Sequence, residues 1–396
     1  MDTPRPAPAR LADRLFDVDW LRLIAIGLVF ASHTGRLFDT MEPWHFKNPI
    51  RTDAFTIPMG IGSQFVMPLF FVLSGISTRF ALGARPWREF AWKRVLRLGV
   101  PVVTLGWFLF NPLQIYIEAS TNQQYHCAPF SGTFWQFLPH AFSGRYGVNG
   151  YFNWSGVHLW YLAWLLIFTL VSLPLFLFLR SERGKRVLSS AVSLLCLPGM
   201  IFLPGLLLVL TEQFFPRSVP YLSKNEGGWI MASHWVLLIL GFVIGADLRL
   251  REAMRRQRWV AFTLADLTLV PLATWAFTLG DGWNGDPVLL FHWAWRTMNG
   301  WFWVVAILGL GAEYLNRPHK ALALLGPAVL PFYILHQPLI VVLGYLLAGW
   351  ALPVLPKYLL IGSLVLVLAL GFYFLAIRRS RLLRFLFGLP AASSTS

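Results

Sequence analysis

The chain has 396 residues, of which 56% are hydrophobic, 16% aromatic and only 13% charged, a balance that excludes an ordinary soluble domain of this length and marks an integral membrane protein. Its net charge of +15 does not require nucleic acid as a partner, because the basic residues fall in short clusters between apolar runs, where membrane topology accounts for them. The two cysteines, Cys127 and Cys196, fall in an external loop and a membrane helix, so a mutual disulfide is not expected, and neither has the ligand-like neighbour spacing of a zinc site.

Arg5, Arg10 and Arg14 precede the first apolar run as in a signal peptide, but no small-residue cleavage site follows, so the run reads as a retained helix. Apolar runs of about 17 to 25 residues predict an all-α polytopic protein with ten transmembrane helices near 18–36, 62–83, 98–117, 157–179, 188–210, 229–247, 259–279, 293–314, 322–347 and 357–377. Residues 1–17 then form a cytoplasmic N-terminal segment, 18–377 the membrane domain, and 378–396 a basic and then disordered cytoplasmic tail. Alternating the loops puts 24 of the 33 Lys and Arg residues on cytoplasmic segments and 7 outside, with Arg22 and Arg296 inside spans. That bias sets both termini in the cytoplasm.

Polar groups inside apolar spans are expensive, so each is a functional candidate. The first helix carries Arg22 and His33, eleven positions apart, which sets them roughly 16 Å apart on nearly one face. The second carries Ser74-Gly75, small enough for close helix packing. Asn111 lies in the third, His158-Leu-Trp160-Tyr at the start of the fourth, Arg296 and Asn299 in the eighth, and His336-Gln337-Pro338 in the ninth. Outside the spans, the 118–156 loop holds Tyr125, Phe130, Phe134, Trp135, Tyr146, Tyr151, Phe152 and Trp154, which suit either stacking on a sugar ring or an interfacial aromatic belt. The acidic, turn-rich stretch near 280–292 reads as a connector.

His33 is the residue suited to act as a base, since an imidazole with an ordinary pKa near 6.5 is largely neutral at neutral pH and accepts a proton from a hydroxyl. The competing reading is a histidine that donates to a backbone carbonyl and fills a polar gap. Arg22 is suited to hold an anion or to pair with Asp19 on the same face. Arg94 and Arg97, one helical turn apart, can present two guanidinium forks to one phosphate cluster or simply anchor the cytoplasmic side. At His336, Pro338 frees backbone groups that neighbouring polar side chains can satisfy.

These pieces together resemble the bacterial acyltransferase-3 family of integral membrane enzymes. They are Asp19-Trp-Leu-Arg22 with His33 after ten intervening residues, Phe70-Phe-Val-Leu-Ser-Gly75, Arg94-x-x-Arg97 before Pro101, His158-Leu-Trp-Tyr-Leu162, and Tyr333-Ile-Leu-His336-Gln337-Pro338. The closest flavour is the subgroup associated with succinylation of periplasmic glucans. The resemblance implies transfer of an acetyl, succinyl or similar group from cytoplasmic acyl-CoA, as cosubstrate, to a hydroxyl of an extracytoplasmic glycan across the bacterial inner membrane, with no tightly bound cofactor. It implies His33 as the catalytic histidine, Arg22 as a catalytic or donor contact, and Arg94 and Arg97 as the donor site. An oxyanion donor is then sought in Ser74, Asn111 or Gln337, with His158, Trp160 and His336 as further acceptor contacts. Direct attack with His33 as base and a covalent acyl-histidine relay both stay open. The alternative from another class is a transporter or flippase of an anionic glycoconjugate.

Overall fold

The computed structural model describes residues 14–41, 43–121, 129–146, 152–215, 219, 221–222, 224–278 and 287–390. The expectations for Arg5, Arg10, Tyr125, Cys127, Tyr151, the 280–286 stretch and the extreme tail lie outside the described residues. The chain is helical nearly throughout. Its helices are α1 (Phe16–Gly35), α2 (Asp53–Gly83), α3 (Trp87–Ser120), α4 (Phe134–Phe137), α5 (Val157–Val171), α6 (Leu173–Arg180) and α7 (Glu182–Leu195). There follow α8 (Met200–Phe214), α9 (Met231–Ala246), α10 (Leu248–Thr278), α11 (Pro287–Tyr314), α12 (Lys320–Leu346), α13 (Val354–Ile377) and α14 (Arg381–Leu386). Among the described residues, strand is confined to the antiparallel pair Asn225–Glu226 and Trp229–Ile230.

Among the described residues four helices, α2, α3, α12 and α13, are long and apolar enough to cross a membrane as they stand, and up to seven spans result if each bent pair counts as one. α1, which carries Asp17, Asp19 and Arg22, is not among the four. α13 is the most apolar of them, with mean hydropathy 2.6, and only 28% of its apolar window is covered by protein, so Leu359, Val367 and Leu375 present an exposed apolar surface.

The bends have local causes. The run expected as one span over 188–210 is divided into α7 and α8, which meet at 118°. Pro198 removes a backbone donor and Gly199 takes φ +78, a left-handed conformation that glycine adopts without steric cost. At Asp247 the backbone turns extended, and the carboxylate accepts the Arg249 N–H at 3.0 Å, ending α9 and starting α10 at 102°. Within α3, π-helical turns cover Val95–Gly99 and Val102–Phe110 on either side of Pro101. Such turns are rare and recur at functional sites.

The chain packs as two compact units. The first comprises Met1–Ala25, Ile61–Trp87 and Phe168–Leu322. There α2 and α9 approach so closely that a Cβ on Gly75 would overlap the Leu238 carbonyl, and one on Gly241 the Val72 carbonyl. Arg251 is ion-paired to buried Asp17 at 2.5 Å, and Arg255 bridges Glu252 and Glu313 at 2.7 and 2.6 Å. Arg296 is buried with its guanidinium 5.4 Å from each of the Trp229 and Trp293 rings, and Asn299 donates to the Ala265 carbonyl at 2.7 Å.

The second unit comprises Ile26–Gly60, Arg88–Ile167 and Ala323–Ser396. Its core joins Leu37, Phe38, Trp44 and Phe46 of the 36–55 connector to Ile117, Ile340, Val341, Ile361 and Val365. Leu37 and Phe38 are fully buried, each worth about 1.5–3 kcal/mol. Polar staples hold the same connector: Lys47 and Arg36 both reach Asp39, at 2.6 and 3.2 Å, and Lys357 donates to Asn48 at 2.8 Å. Burial pushes the Lys47 ammonium below the usual lysine range, against the opposing pull of Asp39.

Candidate active site

Most of the residues singled out in the sequence fall in the second unit, and several of them touch. Pro338 sits inside α12 and has no N–H, so the carbonyl four residues earlier, that of Ile334, loses its helical donor. His158 supplies the replacement, with Nε2 2.9 Å from the Ile334 oxygen. A carbonyl only accepts, so this nitrogen of His158 carries the proton and Nδ1 carries the lone pair. The Nδ1 atom faces Gln114 Nε2 at 3.4 Å, and Gln114 Oε1 accepts from Gln337 Nε2 at 3.0 Å. The backbone that delivers His158 is contorted. Gly156 and Val157 both have positive φ, +88 and +48, and for a β-branched residue that conformation is strained. The Tyr333 hydroxyl donates to the His158 carbonyl and closes the turn onto α12.

The same reasoning orders a second imidazole pair. His336 Nδ1 lies 2.6 Å from the Tyr333 carbonyl, so Nδ1 is the protonated nitrogen and Nε2 the acceptor. His33 Nδ1 stands 3.1 Å from that acceptor with the two ring planes within 11°, so His33 donates from Nδ1. Its lone pair is thereby fixed on Nε2, the nitrogen remote from His336. His336 is fully buried and packed against Phe332, whereas His33 is only half-buried. It is His336, not His33, that donates to a backbone carbonyl.

The remaining residues stand as follows. Asn111 is buried, with Nδ2 3.2 Å from the Asn153 carbonyl and Oδ1 without a partner. Trp160 packs edge-on to Tyr161. Arg94 is half-buried with its guanidinium 5.9 Å from the Phe90 ring, and Arg97 is exposed. The intervening π-helical turn is wider than an α-turn, so three residues cover less of a revolution and the two side chains diverge. In the first unit, Arg22 donates to the Leu73 carbonyl at 3.0 Å and lies 3.5 Å from Asp19, and Ser74 accepts from Thr78 at 2.7 Å. The loop aromatics divide in role: Phe130, Phe137 and Tyr146 form a small core beneath α3, and Trp135 is exposed.

Three participants escaped the sequence. Gln114, fully buried at the centre of one network, sits in the apolar stretch Asn111–Glu118, where a polar residue should have been noticed. His45 and Glu118 form a buried pair at 2.9 Å across 73 residues, and no local signal joins them. Among the described residues, no cluster of three or more His, Cys, Asp or Glu is placed to hold a metal ion.

The chain matches the family described as an acyltransferase domain, Acyl_transf_3, over residues 15–377. Similar curated proteins include the glucans biosynthesis protein C of Salmonella paratyphi B and that of Salmonella enteritidis, each 24% identical over 348 residues that cover 84% of either chain. No solved structure matches.

Proposed function

The chain belongs to the acyltransferase-3 family and is a membrane acyltransferase, and from that premise we propose that it moves an acetyl, succinyl or similar group from cytoplasmic acyl-CoA to a hydroxyl of an extracytoplasmic glycan, with His33 as the general base. In this reading ten helices over 18–377 cross a bacterial inner membrane, and segments 1–17 and 378–396 are cytoplasmic. The observation that carries it is the imidazole pair: His336 spends the Nδ1 proton of His33 and leaves a lone pair on the Nε2 of His33. The glycan end draws on the relatives, which are named for glucans biosynthesis.

Arg94 and Arg97 hold donor phosphates at the cytoplasmic face, and the pantetheine arm reaches into the membrane. The acceptor oxygen attacks the thioester carbonyl as Nε2 of His33 takes its proton, and positive charge on that ring is shared through Nδ1–H with His336. The C–S bond then breaks, the ester is released, and the coenzyme thiolate takes up the proton. A second amide hydrogen of Asn111 or Gln337 is suited to the transient oxyanion.

Mass spectrometry of periplasmic and surface glycans from cells with and without the chain tests this directly, and an acyl-ester mass increment should appear only with it. Flux of an anionic glycoconjugate that persists without acyl-CoA, with no increment, would establish transport instead. The orientation has its own test. In a chain with Cys127 and Cys196 replaced by serine, Trp135→Cys should react with an impermeant thiol reagent from outside and Arg256→Cys only after permeabilisation. The opposite pattern overturns the orientation.

A further inference from the structure

The C-terminal segment packs against the backbone of Arg97. Pro101 removes the helical donor to the Arg97 carbonyl, and Gly388 packs against that carbonyl so tightly that a Cβ would overlap it. Gly388 has φ +66, and the chain closes behind α14 with Gly388 N–H donating to the Phe385 carbonyl and Leu389 N–H to Arg384. Arg384 clamps the hook, donating to the Pro390 carbonyl at 3.0 and 2.7 Å. Beside it lies a cavity of about 310 Å³ lined by Arg378, Arg384, Tyr373, Leu389, Pro390 and Pro327. That volume is at the lower end for small-molecule sites.

Among the described residues, the guanidiniums at this cavity, unlike several basic side chains of the other helices, have no carboxylate beside them. Lys93, Lys185, Arg249, Arg251, Arg255, Arg256 and Arg258 are each paired with a carboxylate. Among the described residues neither Arg378 nor Arg384 has one, and no acid lines the cavity. Arg378 makes no side-chain hydrogen bond there and is exposed. A concave site with two uncompensated guanidiniums, one residue along the chain from the contact with Arg97, is built for phosphate oxyanions.

We propose that this cavity binds the phosphorylated nucleotide end of the acyl-CoA donor, with Arg378 as a phosphate contact and Arg384 as the residue that shapes the rim; this rests on the acyl-CoA reading above. The C-terminal hook is then part of the donor site and not merely a membrane anchor. The competing source of the same chemistry is the phosphate of an anionic lipid headgroup.

The test uses the full chain in phosphatidylcholine nanodiscs, with and without phosphatidylglycerol, and free coenzyme A as the probe in a titration. Arg378→Gln should weaken coenzyme A binding roughly ten- to hundredfold, the loss of one charge-assisted contact, in both lipid compositions and with an unchanged thermal midpoint. Arg378→Lys should recover part of that loss. Unchanged affinity in Arg378→Gln alongside weakened binding in Arg97→Gln overturns the proposal and leaves the donor reading standing. A change seen only with phosphatidylglycerol assigns the cavity to lipid and overturns it as well. If the unaltered chain binds no coenzyme A in either membrane, both readings fall.

Discussion

His33→Asn should insert, fold and bind coenzyme A as the unaltered chain does, yet lose acyl transfer by about 10² to 10⁴, the contribution of a positioned base, or about 3 to 5 kcal/mol of barrier. Asparagine is the informative replacement because its amide nitrogen sits where the imidazole has Nδ1. It therefore retains a donor for His336 Nε2, 3.1 Å away in the native pair. What it lacks is the second nitrogen, the basic Nε2. His33→Gln should be as inactive, without keeping that bond so well. Retention of more than a tenth of the activity in His33→Asn, measured as acylated acceptor per unit of folded protein in membranes, would remove His33 from proton transfer. The direct and covalent versions lose activity alike but part in a second measurement. With labelled acyl-CoA and no acceptor, only the covalent version leaves label on the unaltered chain when it is rapidly denatured at neutral pH, label that hydroxylamine or acid then removes, and none on His33→Asn.

The parts of this molecule that were legible beforehand are those governed by local chemistry. Apolar runs mark the helices because nothing else of that length satisfies its backbone in lipid, and His33, His158, His336 and Gln337 stand out because a polar group there must have a reason. What pairs with what was not legible. His33 and His336 are 303 residues apart, and the donor that answers the Ile334 carbonyl comes from His158, 176 residues earlier. Pro338 announced a freed carbonyl but not its partner. The break in 188–210 was visible in Pro198-Gly199, and counting apolar residues alone smoothed it over. The Arg97 carbonyl freed by Pro101 is covered by Gly388, in a tail that its composition marked as no more than basic and then disordered.

The second large effect is expected at His336. If its work is to hold the tautomer of His33, removing the acceptor leaves His33 free to turn or to place its proton on either nitrogen, and the base is correctly poised only part of the time. His336→Leu should then lower kcat by at least tenfold and at most by the whole 10² to 10⁴ of the base, with KM for acyl-CoA unchanged. Leucine also removes the added donor that the Tyr333 carbonyl now has in His336 Nδ1 at 2.6 Å, and the loss of one such hydrogen bond costs about 0.5–1.5 kcal/mol. His336→Gln separates the two losses. A glutamine amide extends to the position of Nε2 and not of Nδ1, so it loses the added donor to Tyr333 just as leucine does but offers His33 an oxygen to donate to. The two variants should share the same drop in thermal stability, and Gln should return kcat to within about tenfold of the unaltered chain. Equal kcat loss in both would make His336 a structural support of α12. Equal retention would mean that His33 keeps its orientation without it.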